Sequence, residues 1–219
     1  MNLNIHIKRG NKTESIHSAY AVAIDESGSI LHSIGDPNYI TCIRSSLKPF
    51  QASAGINSGA FEEYNLSSSE IALTCSSHSG EKIHTDLASK ILKKINLSVN
   101  HYECGSHAAH DIHTRHKMLI AQQKYSALHN NCSGKHAGML CLAQHITTTP
   151  IGYIKPNHPV QKYIKQQTIN YAETKAIEYG VDGCSVPVPF YTLHTIAKMY
   201  QKIGSTTDPV MKQIFHAMH

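Results

Sequence analysis

Between His129 and Leu140 the chain reads His-Asn-Asn-Cys-Ser-Gly-Lys-His-Ala-Gly-Met-Leu. A thiol (Cys132), a hydroxyl (Ser133), an amine (Lys135), two imidazoles and two amides (Asn130, Asn131) share this one short run. Met139, Leu140, Leu142 and Ala143 read as the buried start of a helix, which places the polar groups on the loop that enters it. Backbone N–H groups are free there to bind an anion or to stabilise a thiolate. Gly134 and Gly138 allow sharp turning and close backbone approach. An ordinary capped loop would account for Ser, Asn and Gly. Cys132 and Lys135 three residues apart, directly before an apolar helix, point to chemistry.

A second run, Arg44-Ser45-Ser46-Leu47-Lys48-Pro49-Phe50-Gln51, holds a Ser-x-x-Lys pair, Ser45 and Lys48. Residues i and i+3 share a helix face, so the lysine amine can take the serine proton if it is neutral. Burial and the positive end of the helix dipole both disfavour the ammonium form. Pro49 is tolerated only in a first turn, which puts the helix start near Ser45. A third run, Cys75-Ser76-Ser77-His78-Ser79-Gly80-Glu81 with His84 behind it, has a loop layout suited either to a site or to capping the next helix. His107, His110, His113 and His116 recur every three residues. No His-Glu-x-x-His arrangement accompanies them, so they read as a solvated surface.

The elements that must hold these groups are legible from periodicity. Leu3, Ile5 and Ile7 alternate with polar neighbours and predict a strand over 3–9. Strands over 15–24 and 29–34 follow, turned by Asp25-Glu26-Ser27-Gly28, giving an antiparallel meander. Ser67-Ser68-Ser69-Glu70 is a capping sequence before Ile71–Thr74. Leu87, Ala88, Ile91, Leu92 and Ile95 line one face of a helix from Thr85, with Lys93 and Lys94 closing its last turn. A long helix is expected over 160–179, then a tight turn over 180–187 holding Cys184. Helices over 191–203 and 209–218 complete the chain, with Gly204 just past the first. There is no internal repeat and no low-complexity linker.

At 219 residues with 41% hydrophobic content the chain suits one globular domain. No run of about 18 apolar residues exists, so no membrane span is expected. Met1–Arg9 lacks a signal-peptide core, and a cytoplasmic home is the default. The net charge of +5 is dispersed, without a basic block, which argues against a nucleic-acid partner. The six cysteines are irregularly spaced without a Cys-x-x-Cys pair, and read as buried hydrophobes, ligands or catalytic groups, not a disulfide frame.

Four segments in order resemble the asparaginase II family of the Rhizobium etli type: 44–51, Ser77-His78-Ser79-Gly80-Glu81 with His84, 129–140, and Asp182-Gly183-Cys184. Arg9-Gly10 and Glu14-Ser15-x-His17 look like that family's opening, so the similarity runs from about Ile5 to the end. The resemblance implies an α/β (α+β) fold like serine β-lactamases and penicillin-binding proteins, a mixed sheet flanked by helices. It implies hydrolysis of L-asparagine to L-aspartate and ammonia. Ser45 and Lys48 would form a first Ser-Lys pair, and Ser77, of the second pair, is favoured over Ser45 to attack the side-chain amide. A lysine would accept the proton, ammonia would leave, and water would release aspartate. Arg44 suits the α-carboxylate. His78, Asn130 and Asn131 are candidates to hold the substrate, and backbone N–H groups with the two Asn amides to hold the oxyanion. Cys132, Lys135 and Cys184 match the family's metal position, with zinc as the ion, positioning substrate. A ligating lysine must be neutral. The resemblance also implies a homodimer.

In the family, the partner of the second serine is a lysine in a downstream segment that has no counterpart up to His219. The expectation is therefore a single asparaginase II-like domain over 1–219 that is truncated at its C-terminus, with an uncovered face on strands 3–34 and weak or absent activity. Two rival readings stand beside it. A β-lactamase or D,D-peptidase would need Ser-x-Asn and Lys-Thr-Gly, whereas the second motif is Ser77-His78-Ser79 and Lys-Thr-Gly is absent. A catalytically inactive remnant would keep only the Cys132, Lys135 and Cys184 metal site.

Overall fold

In the computed structural model, which describes residues 3–205 and 207–219, the alternating segment is strand β1 (Leu3–Arg9). It pairs antiparallel with β2 (Lys12–Ala19) in a register that sets Leu3 opposite Ala19 and Ile5 opposite His17. The strand expected over 15–24 does not continue through residue 20. There the Tyr20 ring stacks on Tyr39, with centroids 4.1 Å apart, and the chain changes partner. Strand β3 (Ala21–Ile24) pairs instead with β4 (Ile30–Ile34), so the expected meander is two separate hairpins. The Asp25 carboxylate closes the second turn by accepting from the N–H groups of Ser27 and Ser29.

Strand β5 (Ile40–Cys42) leads through a 3₁₀ turn, Arg44–Leu47, into α1 (Lys48–Asn57). Pro49 lies in the first turn of α1, as its missing N–H requires. Short helix α2 (Ala60–Glu63) is followed by α3 (Ser68–Cys75), where the capping box forms. Ser67 Oγ accepts from the Glu70 N–H, and Glu70 accepts from the Ser67 N–H at 2.7 Å. Helix α4 (Lys82–Lys94) buries Ala88, Ile91 and Leu92, and α5 (Ile112–Ile120) is capped by Asp111.

Helix α6 (Ser133–Ile146) is the hub. It is buried continuously from Ser133 to Ala143 and packs against α1, α3 and α4. Its approach to α3 depends on Gly134, where a Cβ would lie 2.3 Å from the Leu73 carbonyl oxygen. Helix α7 (Pro159–Ala172) is shorter than periodicity suggests. Glu173 adopts a left-handed φ of 55° and ends it, and Tyr179 belongs to strand β6 (Glu178–Val181). Strand β7 (Pro187–Thr192) pairs with β6 and β5 on its two sides, and α8 (Leu193–Ser205) and α9 (Pro209–Met218) close the core with Met199, Met211 and Ile214. Gly204 lies inside α8, not beyond it.

The architecture is α/β in the α+β sense: three small sheets flanked by helices, every strand pairing among the described residues being antiparallel. The six cysteines are unpaired. No helix among the described residues is long and apolar enough to cross a membrane.

Candidate active site

Four chain segments meet at one end of α6: the 3₁₀ turn and first turn of α1, the loop after α3, the entry to α6, and the turn between β6 and β7. Lys48 is fully buried, and its Nζ lies 2.6 Å from Ser77 Oγ and 2.7 Å from the Ser76 carbonyl oxygen. The Asn131 carbonyl oxygen is its third neighbour at 3.5 Å. Burial pulls the Lys48 amine below the usual lysine range, with Cys132 partly opposing and Lys135 assisting. A neutral amine has two N–H donors and one lone pair. The two carbonyls match the donors, which leaves the lone pair for the Ser77 hydroxyl.

Ser45 lies apart from this pair. Its carbonyl accepts the Lys48 backbone N–H, but no hydrogen bond joins its hydroxyl to the Lys48 amine among the described residues. The Ser-x-x-Lys spacing therefore brings the two residues to one turn without pairing them, because the amine is drawn across to the loop after α3. Arg44, in left-handed backbone at φ 47°, is exposed and reaches Asp182 at 3.4 Å. Ser45, Arg44, Asn131, Cys132, Asp182 and Cys184 line one cleft of about 210 Å³.

The other candidates face inward. His78 is buried and accepts from the Gly80 N–H through Nδ1. Its Nε2 must then carry the proton and donate to Ser133 Oγ at 2.8 Å, while Ser133 donates to the Leu128 carbonyl. Burial, then His84 and Lys48, push its pKa down to about 3. The Asn130 amide donates to the carbonyls of Cys104 and Gly105 and accepts from the Cys132 N–H, so both its donors are occupied within the protein.

Cys132 is the N-cap of α6 without a side-chain cap bond. A hydrogen bond from Cys184, and then Lys135 and Lys48 against the cost of burial, bring its pKa down to about 6. The same bond and burial raise Cys184 to about 11, so the two thiols are pushed apart, Cys132 toward its thiolate and Cys184 toward its thiol. Lys135 Nζ lies 2.8 Å from Cys184 Sγ and 3.7 Å from Asp182. Burial would raise Asp182, but Lys135 and the Gly183 N–H outweigh it and hold the carboxyl below its ordinary value. The donor atoms of Cys132, Asp182 and Cys184 lie within 4.8 Å of one another. Two sulfurs and a carboxylate, with an amine beside them, form a donor set that suits zinc.

A comparison with protein-family models matches L-asparaginase II over residues 5–219. The chain belongs to the asparaginase II family. A search of curated proteins gives no match.

Sequence reasoning misses two residues of this candidate site. Asp182 is visible only as part of Asp-Gly-Cys, and nothing local marks it as the carboxylate that lies within 4.8 Å of both thiols. His107, grouped by spacing with a solvated histidine run, is half-buried and lines the cleft, whereas His110, His113 and His116 are exposed. Its neighbours in space, Asn131 and Ala108, are not encoded by the three-residue spacing.

Proposed function

We propose that this asparaginase II family member is an L-asparagine amidohydrolase in which Ser77 is the nucleophile and Lys48 its base. The observation that carries this reading is the 2.6 Å contact between a fully buried amine and an exposed serine hydroxyl, with two carbonyls accepting the amine's protons. A serine that the sequence leaves without a base thus has one within residues 1–219.

In the proposed reaction Ser77 Oγ attacks the side-chain amide carbon as Lys48 takes its proton. The C–N bond then breaks, Lys48 returns that proton to the departing nitrogen, and ammonia leaves an aspartyl ester on Ser77. Water, deprotonated by Lys48, cleaves the ester to aspartate and restores the hydroxyl. Arg44 offers its exposed guanidinium to the α-carboxylate. Ser45 and Asn131, which line the same cleft as Arg44, would hold the polar groups of the substrate. Cys132, Asp182 and Cys184 would hold zinc, with Lys135 as a fourth donor. The ion would supply a positive centre that orients substrate. We read the helix-flanked sheets as the serine β-lactamase-like arrangement.

Ammonia release from L-asparagine by the 219-residue chain, beside Ser77→Ala and Ser45→Ala variants, tests this reading. Turnover abolished in Ser77→Ala supports it. Turnover that survives in Ser77→Ala and is lost in Ser45→Ala moves the nucleophile to Ser45. Zinc binding by a chain without turnover favours the second reading, a metal-binding family member, which the Cys132–Asp182–Cys184 cluster supports by itself.

A further inference from the structure

We propose that His107 is a positioning residue for the Ser77–Lys48 pair and acts through Asn131. This inference rests on the function proposed above.

The ring of His107 is fixed at both nitrogens. Its Nδ1 lies 2.7 Å from the Ala108 carbonyl oxygen, which can only accept, so Nδ1 carries the proton. Its Nε2 is then a bare acceptor and takes the Asn131 backbone N–H at 3.1 Å. On its other side Asn131 offers its carbonyl oxygen to two groups of the reacting loop and base. One is the backbone N–H of His78, the residue after Ser77, at 3.2 Å. The other is Lys48 Nζ at 3.5 Å. Asn131 is thus held from behind by His107, and itself sets the height of the Ser77 loop and one donor direction of the Lys48 amine.

The segment that carries His107 is braced against the same structure. Cys104 and Gly105 accept from the Asn130 amide, and the Asp111 N–H donates to the Ser79 carbonyl at 2.9 Å. Gly80 packs so closely on Ala109 that a Cβ would lie 3.0 Å away. The imidazole is therefore delivered by a fixed support and not by a free loop. Without it the Asn131 carbonyl loses its backing, the Lys48 amine loses a directional acceptor, and its lone pair is no longer confined to Ser77. Arg44 makes no contact in this chain of bonds, so its hold on the α-carboxylate is spared, and an effect on substrate binding enters only through Asn131.

The test compares His107→Ala and His107→Gln with the unaltered full chain by two readouts. Gln places an amide oxygen near the position of Nε2 and can accept the same N–H. Misplacement of about an ångström can cost 10²-fold, so His107→Ala is expected to lower kcat ~10–100-fold with a smaller rise in KM through Asn131, and Gln to recover most of the loss. Amide hydrogen exchange at Asn131 is expected to speed up about tenfold or more in His107→Ala, with Leu140 in the interior of α6 unchanged, and to be restored by Gln. Unchanged Asn131 exchange in His107→Ala overturns the inference, as does a rise in KM alone. If the unaltered chain shows no turnover while Asn131 exchange responds as described, the positioning by His107 stands and the proposed function fails.

Discussion

Lys48 Nζ stands 2.6 Å from Ser77 Oγ, although the two residues belong to different helix ends and Ser45 is the serine on the lysine's own turn. The pairing makes the protonation state of one buried amine decide the chemistry. Activity should rise with pH through a Lys48 pKa that burial has lowered from 10.5, because only the neutral amine accepts a proton. Lys48→Arg, which stays charged, should reduce kcat by about 10²–10⁴ at every pH. A pH–rate profile of both proteins checks this. A Lys48→Arg enzyme with ordinary activity would remove the base from Lys48.

His78 gives the fold an acid-sensitive group. Its pKa in the folded chain is about 3 against 6.5 unfolded, so below pH 6.5 the unfolded chain binds the extra proton. Stability linked to His78 is complete above pH 6.5 and drains away as pH falls toward 3, by an amount on the order of a few kcal/mol. Protonation would also set an N–H against the Gly80 N–H. His78→Gln should flatten the difference between melts at pH 7 and pH 4.5. An equally steep acid dependence in that variant would place the sensitivity elsewhere.

The Cys132 thiolate depends first on Cys184. Thiolate absorbance should titrate near pH 6 in the unaltered chain, and Cys184→Ser should shift that step upward. A step that stays near pH 6 without Cys184 would assign the lowering to Lys135 and Lys48.

Zinc should raise the melting temperature through the same cluster. Because Asp182 supplies the carboxylate between the two thiols, Asp182→Ala should abolish most of the zinc-dependent gain. A calorimetric titration with zinc compares this variant with the unaltered chain. Full affinity in Asp182→Ala, lost in Lys135→Met, would leave Cys132, Lys135 and Cys184 as the ligand trio.

Gly134→Ala should destabilise by about 1–3 kcal/mol or more, since the methyl group meets the Leu73 carbonyl, a backbone atom that cannot swing away. Chemical denaturation measures this. A neutral effect would mean that α3 and α6 separate freely.

Much of this fold can be read from residue patterns because its signals are local. The Ser67–Glu70 box, Pro49 in a first turn and the apolar face of α4 each depend on neighbours within a turn or two. The strand break at Tyr20 depends on a ring partner at Tyr39, and the early end of α7 on β6 pairing with β7. Neither partner is marked by periodicity. The site divides the same way. Cys132, Lys135 and Ser77 stand out by type and spacing, whereas the partner of Ser77, the role of Asp182 and the seat of His107 arise from segments far apart in sequence.

Helix α6 presents its capping thiol to the cleft and Lys135 to Cys184 and Asp182, while the next turns, Ala137 to Ala143, form the centre of the core. Site and core therefore answer to one rigid body. A change that tilts this helix to suit a different substrate must also repack α1, α3 and α4, and a core substitution such as Leu140→Ala reaches the reacting groups without touching them. Changes that tune specificity at least cost to the core would fall at Arg44 and Ser45, which border the cleft but do not carry the helix.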